Sequence, residues 1–278
     1  PMCRSNRCDR FDVGDPSLCY TSLHPRLNMR LISLAPSSTE ILFELGVGDD
    51  VVATTGYCDY PDGADEKPDV GGWLNVQEKE VVRSDADAVF TSTFLQDELR
   101  DRLEEAGLDV VHVSPSTLDE VYDSIRTISE YVNKEDTGQD VIDGMKEEFH
   151  SVKAPWDDPP VVYLEEWHDP PSVAGNWVPD IVRAAGGTQP FISSGKPSKP
   201  IEGDTVREAS PDLIVLHWCG FQDKSDKRVY ERNGWGFADD IPVTCIHDSL
   251  LNRPGPRLVE GCKKLNAAIR QTHDDTVE

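Results

Sequence analysis

Residues 161–187 read VVYLEEWHDPPSVAGNWVPDIVRAAGG, and the rest of the chain can be laid out from them. Val161 to Leu164 is a run of four apolar or aromatic residues, which reads as a short buried strand. The turn-prone Asp169-Pro170-Pro171 follows. A helix is expected from Pro179 to Gly186-Gly187, with proline in its first turn and glycine at its cap. Between strand and helix lie Glu165, Glu166, Trp167, His168, Asn176 and Trp177. Ligands of an open α/β sheet sit at the strand ends, so two tryptophans beside two carboxylates read together as a binding wall. Each residue alone would pass as a core ring or a solvated acid.

Outward from this stretch, strands alternate with helices on both sides. Arg30–Ala35 reads as a strand, and Pro36 and Ser37 turn it into a helix, with Ser37 and Glu40 spaced as a capping box. Strands follow at Asp50–Thr54, Ala88–Thr91 and Asp109–Val113, with helices at Glu78–Ser84 and Gln96–Ala106. Val121, Ile125, Ile128 and Val132, then Val141, Met145, Phe149 and Val152, recur at helical spacing. After residue 161, helices are expected at Asp204–Ala209 and Leu258–Ile269, with strands at Leu213–Leu216 and Val243–Ile246. The segment SDADAV at 84–89 is matched by ASPDLI at 209–214, each closing a helix and opening a strand. The fold class is therefore α/β: two Rossmann-like lobes with mainly parallel sheets joined by a long backbone helix. The expected divisions are an extension at 1–28, a lobe at 29–134, a linking helix at 135–156, a second lobe at 157–270 and a tail at 271–278.

The 278 residues carry 52 acidic against 27 basic side chains, a net charge of −25, which argues against a nucleic-acid partner. The acids are spread along the chain, as suits a surface adapted to high salt. Mean hydropathy is −0.48. No apolar run approaches the roughly 20 residues of a membrane span. The seven cysteines (Cys3, Cys8, Cys19, Cys58, Cys219, Cys245 and Cys262) are odd in number and widely spaced, so free thiols are expected. Residues 1–28 hold no apolar h-region, so the chain as written is expected to be cytoplasmic.

The opening RLISLAPSSTEILFELG, the Cys58-Asp59-Tyr60-Pro61 loop, Trp73 after two glycines, and the paired 84–89 and 209–214 segments resemble the substrate-binding proteins of ABC importers for cobalamin and iron chelates. EWxDPxxxAGNWxP at 166–179, Cys219-Gly220-Phe221 and RPGPRL at 253–258 resemble the cobalamin-binding branch of that class. The resemblance covers roughly residues 29–269 and implies a class III periplasmic-binding-protein-like fold. It implies cobalamin or a related chelate as ligand, no required cofactor, an ABC permease as partner and a monomeric state. It places Tyr57, Cys58, Asp59, Tyr60 and Trp73 on the first-lobe wall. Glu165, Glu166, Trp167, Asn176, Trp177 and Cys219 fall on the second, and Asp248, Asn252 and Arg253 at the floor. Trp73 and Trp167 are expected to face each other across the ligand. The importers' docking glutamates align with Lys79, flanked by Glu78 and Glu80, and with Asp204. Ser198 stands where those importers have tryptophan, and Ser249 where they have the floor aspartate.

Other chemistry stays open at this point. Cys58, Glu165, His168 and Cys219 all lie near expected strand ends and have donor types that suit a metal. A metal-dependent enzyme, or an iron-chelate or haem carrier, is thus an alternative on the same scaffold. No GxSxG, P-loop or GxGxxG motif is present, and no enzyme activity is expected.

Overall fold

The computed structural model describes residues 29–152 and 157–275. The extension expected at 1–28 lies outside them, as do residues 153–156 of the expected linking helix and 276–278 of the tail.

The first lobe is built on β1 (Leu31–Ser33), β2 (Val51–Thr54), β3 (Ala88–Ser92) and β4 (Val110–Val113), all parallel, in the order β2-β1-β3-β4. Its helices are α1 (Pro36–Glu44), α2 (Glu78–Arg83) and α3 (Asp97–Glu105). The second sheet contains β5 (Val162–His168), β6 (Pro171–Val173), β7 (Lys199–Pro200), β8 (Leu213–Leu216) and β9 (Val243–Cys245), in the order β7-β6-β5-β8-β9. Strands β5, β8 and β9 are parallel, whereas β6 and β7 are antiparallel additions. Helices α6 (Val178–Ala184) and α7 (Gly203–Glu208) belong to this lobe.

The matched segments turn out to be one device used twice. Asp85 and Ser210 both close a helix with left-handed backbone, φ 53° and 49°. Two residues on, the Asp87 carboxylate accepts from the Arg30 amide at 3.0 Å, and the Asp212 carboxylate from the Val161 amide at 2.7 Å. Each aspartate thereby pins the start of the neighbouring strand.

Between the lobes lie α4 (Leu118–Tyr131), α5 (Glu135–Ser151) and α8 (Leu258–Asp275). Thr117 caps α4 by accepting from the Glu120 amide. Helices α4 and α5 approach so closely at Gly138 that a Cβ there would stand 2.3 Å from the Ser129 hydroxyl. Ile125 and Ile128 of α4, Ile142 and Met145 of α5, and Leu265 and Ile269 of α8 are buried in one continuous core. That core reaches Leu31 and Phe90 on one side and Val162 and Leu164 on the other. Separate apolar clusters fill the outer face of each sheet.

Three expectations change. The capping box does not form: α1 begins at Pro36 with Ala35 as its cap residue, and the Glu40 side chain is turned to another use. Residues Glu165–His168 are strand, not loop, because β5 continues into a hairpin with β6 across Asp169-Pro170. The last helix runs six residues past Ile269, to Asp275.

Candidate functional site

A cleft of about 510 Å³ opens between the lobes, and both of its walls are made at the C-terminal ends of parallel strands. From the first lobe come Ala35 to Ser37 after β1, Tyr57 after β2, Gly72 to Asn75, Ser92 to Leu95 at the end of β3, and Pro115 after β4. From the second come Glu166 at the end of β5, Gly175 to Val178, Pro197 and Ser198, Cys219 and Gly220 after β8, and Asp248, Ser249 and Leu251 to Pro254 after β9. A larger hollow of about 780 Å³ lies between α6 and the loop 187–199 of the second lobe, and Ser198 and Pro197 are shared between the two.

The first-lobe wall is apolar. Tyr57, Leu74, Phe94 and Leu95 are all about half exposed there. Phe94 and Leu95 were not singled out from sequence. Their signal was an apolar pair just past a strand end, which pattern alone cannot tell from core. The wall is braced by Gln96, fully buried, whose amide nitrogen donates to the Leu34 and Trp73 carbonyls at 2.9 and 2.8 Å. Its carbonyl accepts from the Ser92 amide at 2.8 Å. Trp73 lines the cleft as expected, held through its backbone.

The second-lobe wall is polar. The Glu166 carboxylate accepts from the Ser198 hydroxyl, which in turn accepts from the Gly175 amide at 2.9 Å. Asn176 adopts φ 52°, and its backbone is held by Lys196 and Gly195. Trp177 also lines the cleft but is buried, donating to the Leu251 carbonyl at 2.8 Å. Asp248 accepts from the Gly220 amide at 2.7 Å. Asn252 accepts from Nδ1 of the buried His217 at 2.5 Å and donates back to its carbonyl at 3.1 Å. An amide oxygen can only accept, so His217 carries its proton on Nδ1 and leaves Nε2 a bare acceptor. Burial holds the His217 imidazole below its ordinary pKa. Cys219 presents a thiol whose pKa is raised by partial burial and by Asp248 and Glu166.

Five expected site residues do not line this cleft. Glu165 is wholly buried: it accepts both terminal nitrogens of Arg232 at 2.7 Å, Trp218 Nε1 at 2.8 Å and the Tyr163 hydroxyl at 2.8 Å. Strand alternation explains this. Tyr163 and Glu165 share the outer face of the sheet, while Leu164 and Glu166 share the inner one. Trp167 follows on the side away from the cleft, where it packs on His168 and Phe221 and donates to the Asp169 carbonyl. Trp73 and Trp167 therefore do not face each other, and the tryptophan at the cleft on the second lobe is Trp177. Cys58 is buried under the first lobe, receiving a hydrogen bond from Thr39 at 3.1 Å. Asp59 and Tyr60 meet arginines of the other lobe: Asp59 lies 2.7 Å from Arg253, and Arg257 sits 3.9 Å above the Tyr60 ring.

The alternative metal donors are accordingly scattered, with His168 stacked on Trp218 and Cys58 and Cys219 on different lobes. Among the described residues no group of three or more His, Cys, Asp or Glu is placed to hold a metal. The expected docking acids are surface groups: Glu78 pairs with Arg102, Glu80 with Arg83, and Asp204 with Arg207.

Where the lobes meet beside the cleft, Arg253 Nη1 donates to Glu40 at 3.0 Å and to Asp59 at 2.7 Å, and Nη2 to the Tyr57 carbonyl at 3.2 Å. Arg257 adds a contact to Glu40 at 3.5 Å. Burial, opposed by these arginines, pushes the Glu40 carboxyl up to about 7.

The chain is similar to known proteins over most of its length. The Vitamin B12-binding protein of Vibrio cholerae serotype O1 is 25% identical over 252 residues, covering 87% of this chain and 91% of the relative. The protein of the same name from Yersinia pestis is 23% identical over 242 residues, covering 85% and 84%. Among solved structures, the periplasmic vitamin B12 binding protein BtuF of Vibrio cholerae superposes with TM-score 0.68 at 22% identity, over 88% of this chain and 98% of the other. The periplasmic heme-binding protein RhuT of Roseiflexus sp. RS-1 gives 0.73 at 20% identity, over 88% and 99%. The model of the Periplasmic binding protein family matches residues 31–237, about three quarters of the sequence, and the chain belongs to that family.

Proposed function

We propose that this protein is a substrate-binding receptor that holds a corrinoid in the interlobe cleft and hands it to an ABC permease, acting as a monomer with no resident cofactor. The observation that carries this reading is the division of the cleft into an exposed apolar wall and a wall of carboxylates and amides. A flat macrocycle edged with amides suits both. Its face covers Tyr57, Trp73 and Phe94, and its edge amides donate to Glu166 and Asp248. The relatives named for vitamin B12 support the same ligand. The exposed acids of α2 and α7, Glu78, Glu80 and Asp204, are the proposed permease contacts, one set on each lobe.

Titrating cyanocobalamin and haemin separately into the protein at high salt tests this, read by tryptophan fluorescence and ligand absorbance. Saturable binding of cobalamin, recovered chemically unchanged, is the expected result. Tight haemin binding with no response to cobalamin would replace the corrinoid by haem, and chemical conversion of either would make the protein an enzyme.

A further inference from the structure

We propose that Glu40 and Asp59 act together as a charge filter: by occupying Arg253 they deny the ligand a positive charge, and so set the cleft against chelates that carry free carboxylates. This rests on the reading of the cleft as a chelate site and adds which class of chelate it takes. Arg253 is the one basic residue lining the cleft among the described residues. An arginine in such a position ordinarily serves a ligand carboxylate through its paired nitrogens. Here Nη1 is shared by Glu40 and Asp59 and Nη2 is turned to the Tyr57 carbonyl. Both acids reach it from the first lobe, and the Glu40 side chain is almost wholly buried, so water does little to screen that pair. With Arg257 added, and at pH 8 where Glu40 is ionised, the cluster of two arginines and two carboxylates is in balance. Glu166 and Asp248 then leave the cleft acidic. A ligand carboxylate would face like charge beside an arginine whose own charge is already matched, which is discrimination by repulsion.

The test compares two ligands that differ in a single charge, cyanocobalamin and its monocarboxylic acid, in which one side-chain amide is hydrolysed. Dissociation constants are measured at pH 8 for wild type, Asp59→Asn, Glu40→Gln and the double variant. Wild type is expected to favour the amide by about tenfold or more, roughly one decade per 1.4 kcal/mol. The double variant is expected to narrow that preference to about threefold, chiefly by tightening the acid. Asp59 is half exposed, so Asp59→Asn carries the test if Glu40→Gln fails to fold. Equal binding of the two ligands by wild type, or a preference unmoved in the variants, overturns the filter. If wild type binds neither corrinoid, the ligand assignment has failed and the filter is judged on haemin against its dimethyl ester. Preference for the ester, lost in the variants, sustains it; absence of that preference, or of any binding, overturns it.

Discussion

The two walls of the cleft stand at equivalent strand ends, yet they are finished in opposite ways. On the first lobe, Tyr57, Leu74, Phe94 and Leu95 stand out into the opening with little to cover them. On the second, Glu166, Asp248 and Asn252 are already engaged with Ser198, Gly220 and His217. Apolar surface left in water is an unfilled demand for contact and is indifferent to direction. Fixed hydrogen-bonding groups contribute little area but discriminate orientation. The first wall is therefore built for adhesion and the second for alignment.

The sharpest way to probe the second wall is through two adjacent glutamates. Glu165→Ala strands Arg232 beside Trp218 and should cost about 3–5 kcal/mol of stability, seen as a large fall in melting temperature. Glu166→Gln should stay within about 0.5 kcal/mol of wild type in stability and instead weaken ligand binding. If the two substitutions behaved alike, the inner and outer faces of β5 would not be distinct.

A second probe lies at the seam between the walls. Burial raises Glu40 from 4.5 to about 7, so the fold favours its protonated form. Its contribution is complete below pH 4.5 and is lost as pH rises through 7, up to about 3 kcal/mol at about 1.36 kcal/mol per pH unit. Wild type should lose stability between pH 5 and pH 8 relative to Glu40→Gln, as denaturant titrations at each pH would show. Parallel curves would mean that Arg253 and Arg257 fully offset the burial.

For the first wall, Trp73→Ala should weaken binding by about tenfold, equal to about 1.4 kcal/mol. The melting temperature should change little, because the bracing bond from Gln96 goes to the Trp73 backbone. Phe94→Ala should give a smaller loss, about threefold, or about 0.7 kcal/mol of aromatic contact. An unchanged affinity in both, measured by the same titration, would move adhesion away from this wall.

Much of this arrangement could be read before the structure. Alternating elements imply a parallel sheet in each lobe, and the match between 84–89 and 209–214 led to the aspartates that pin Arg30 and Val161. The unreadable parts depend on distant partners. Glu165 looks like a loop acid because Arg232, 67 residues away, is what lets a strand bury it. Glu40 is spaced to cap its own helix, but Arg253 lies 213 residues on and claims it. Trp167 and Trp177 look equivalent in sequence, and only the length of β5 and its pleat decides which one meets the cleft. The antiparallel β6 and β7 carry Pro171 and Pro200, which speak against a strand unless it lies at a sheet margin.

The unbroken core through α4, α5 and α8 also bears on how the molecule comes apart. Neither sheet can shed its inner packing without opening the one core that Ile125, Ile142 and Leu265 help to fill. The two halves should thus melt in one cooperative transition despite the duplicated plan. Neither half is then expected to survive as an autonomous fragment, and a ligand gripped at the rim protects the whole chain against unfolding, not merely the lobe it touches.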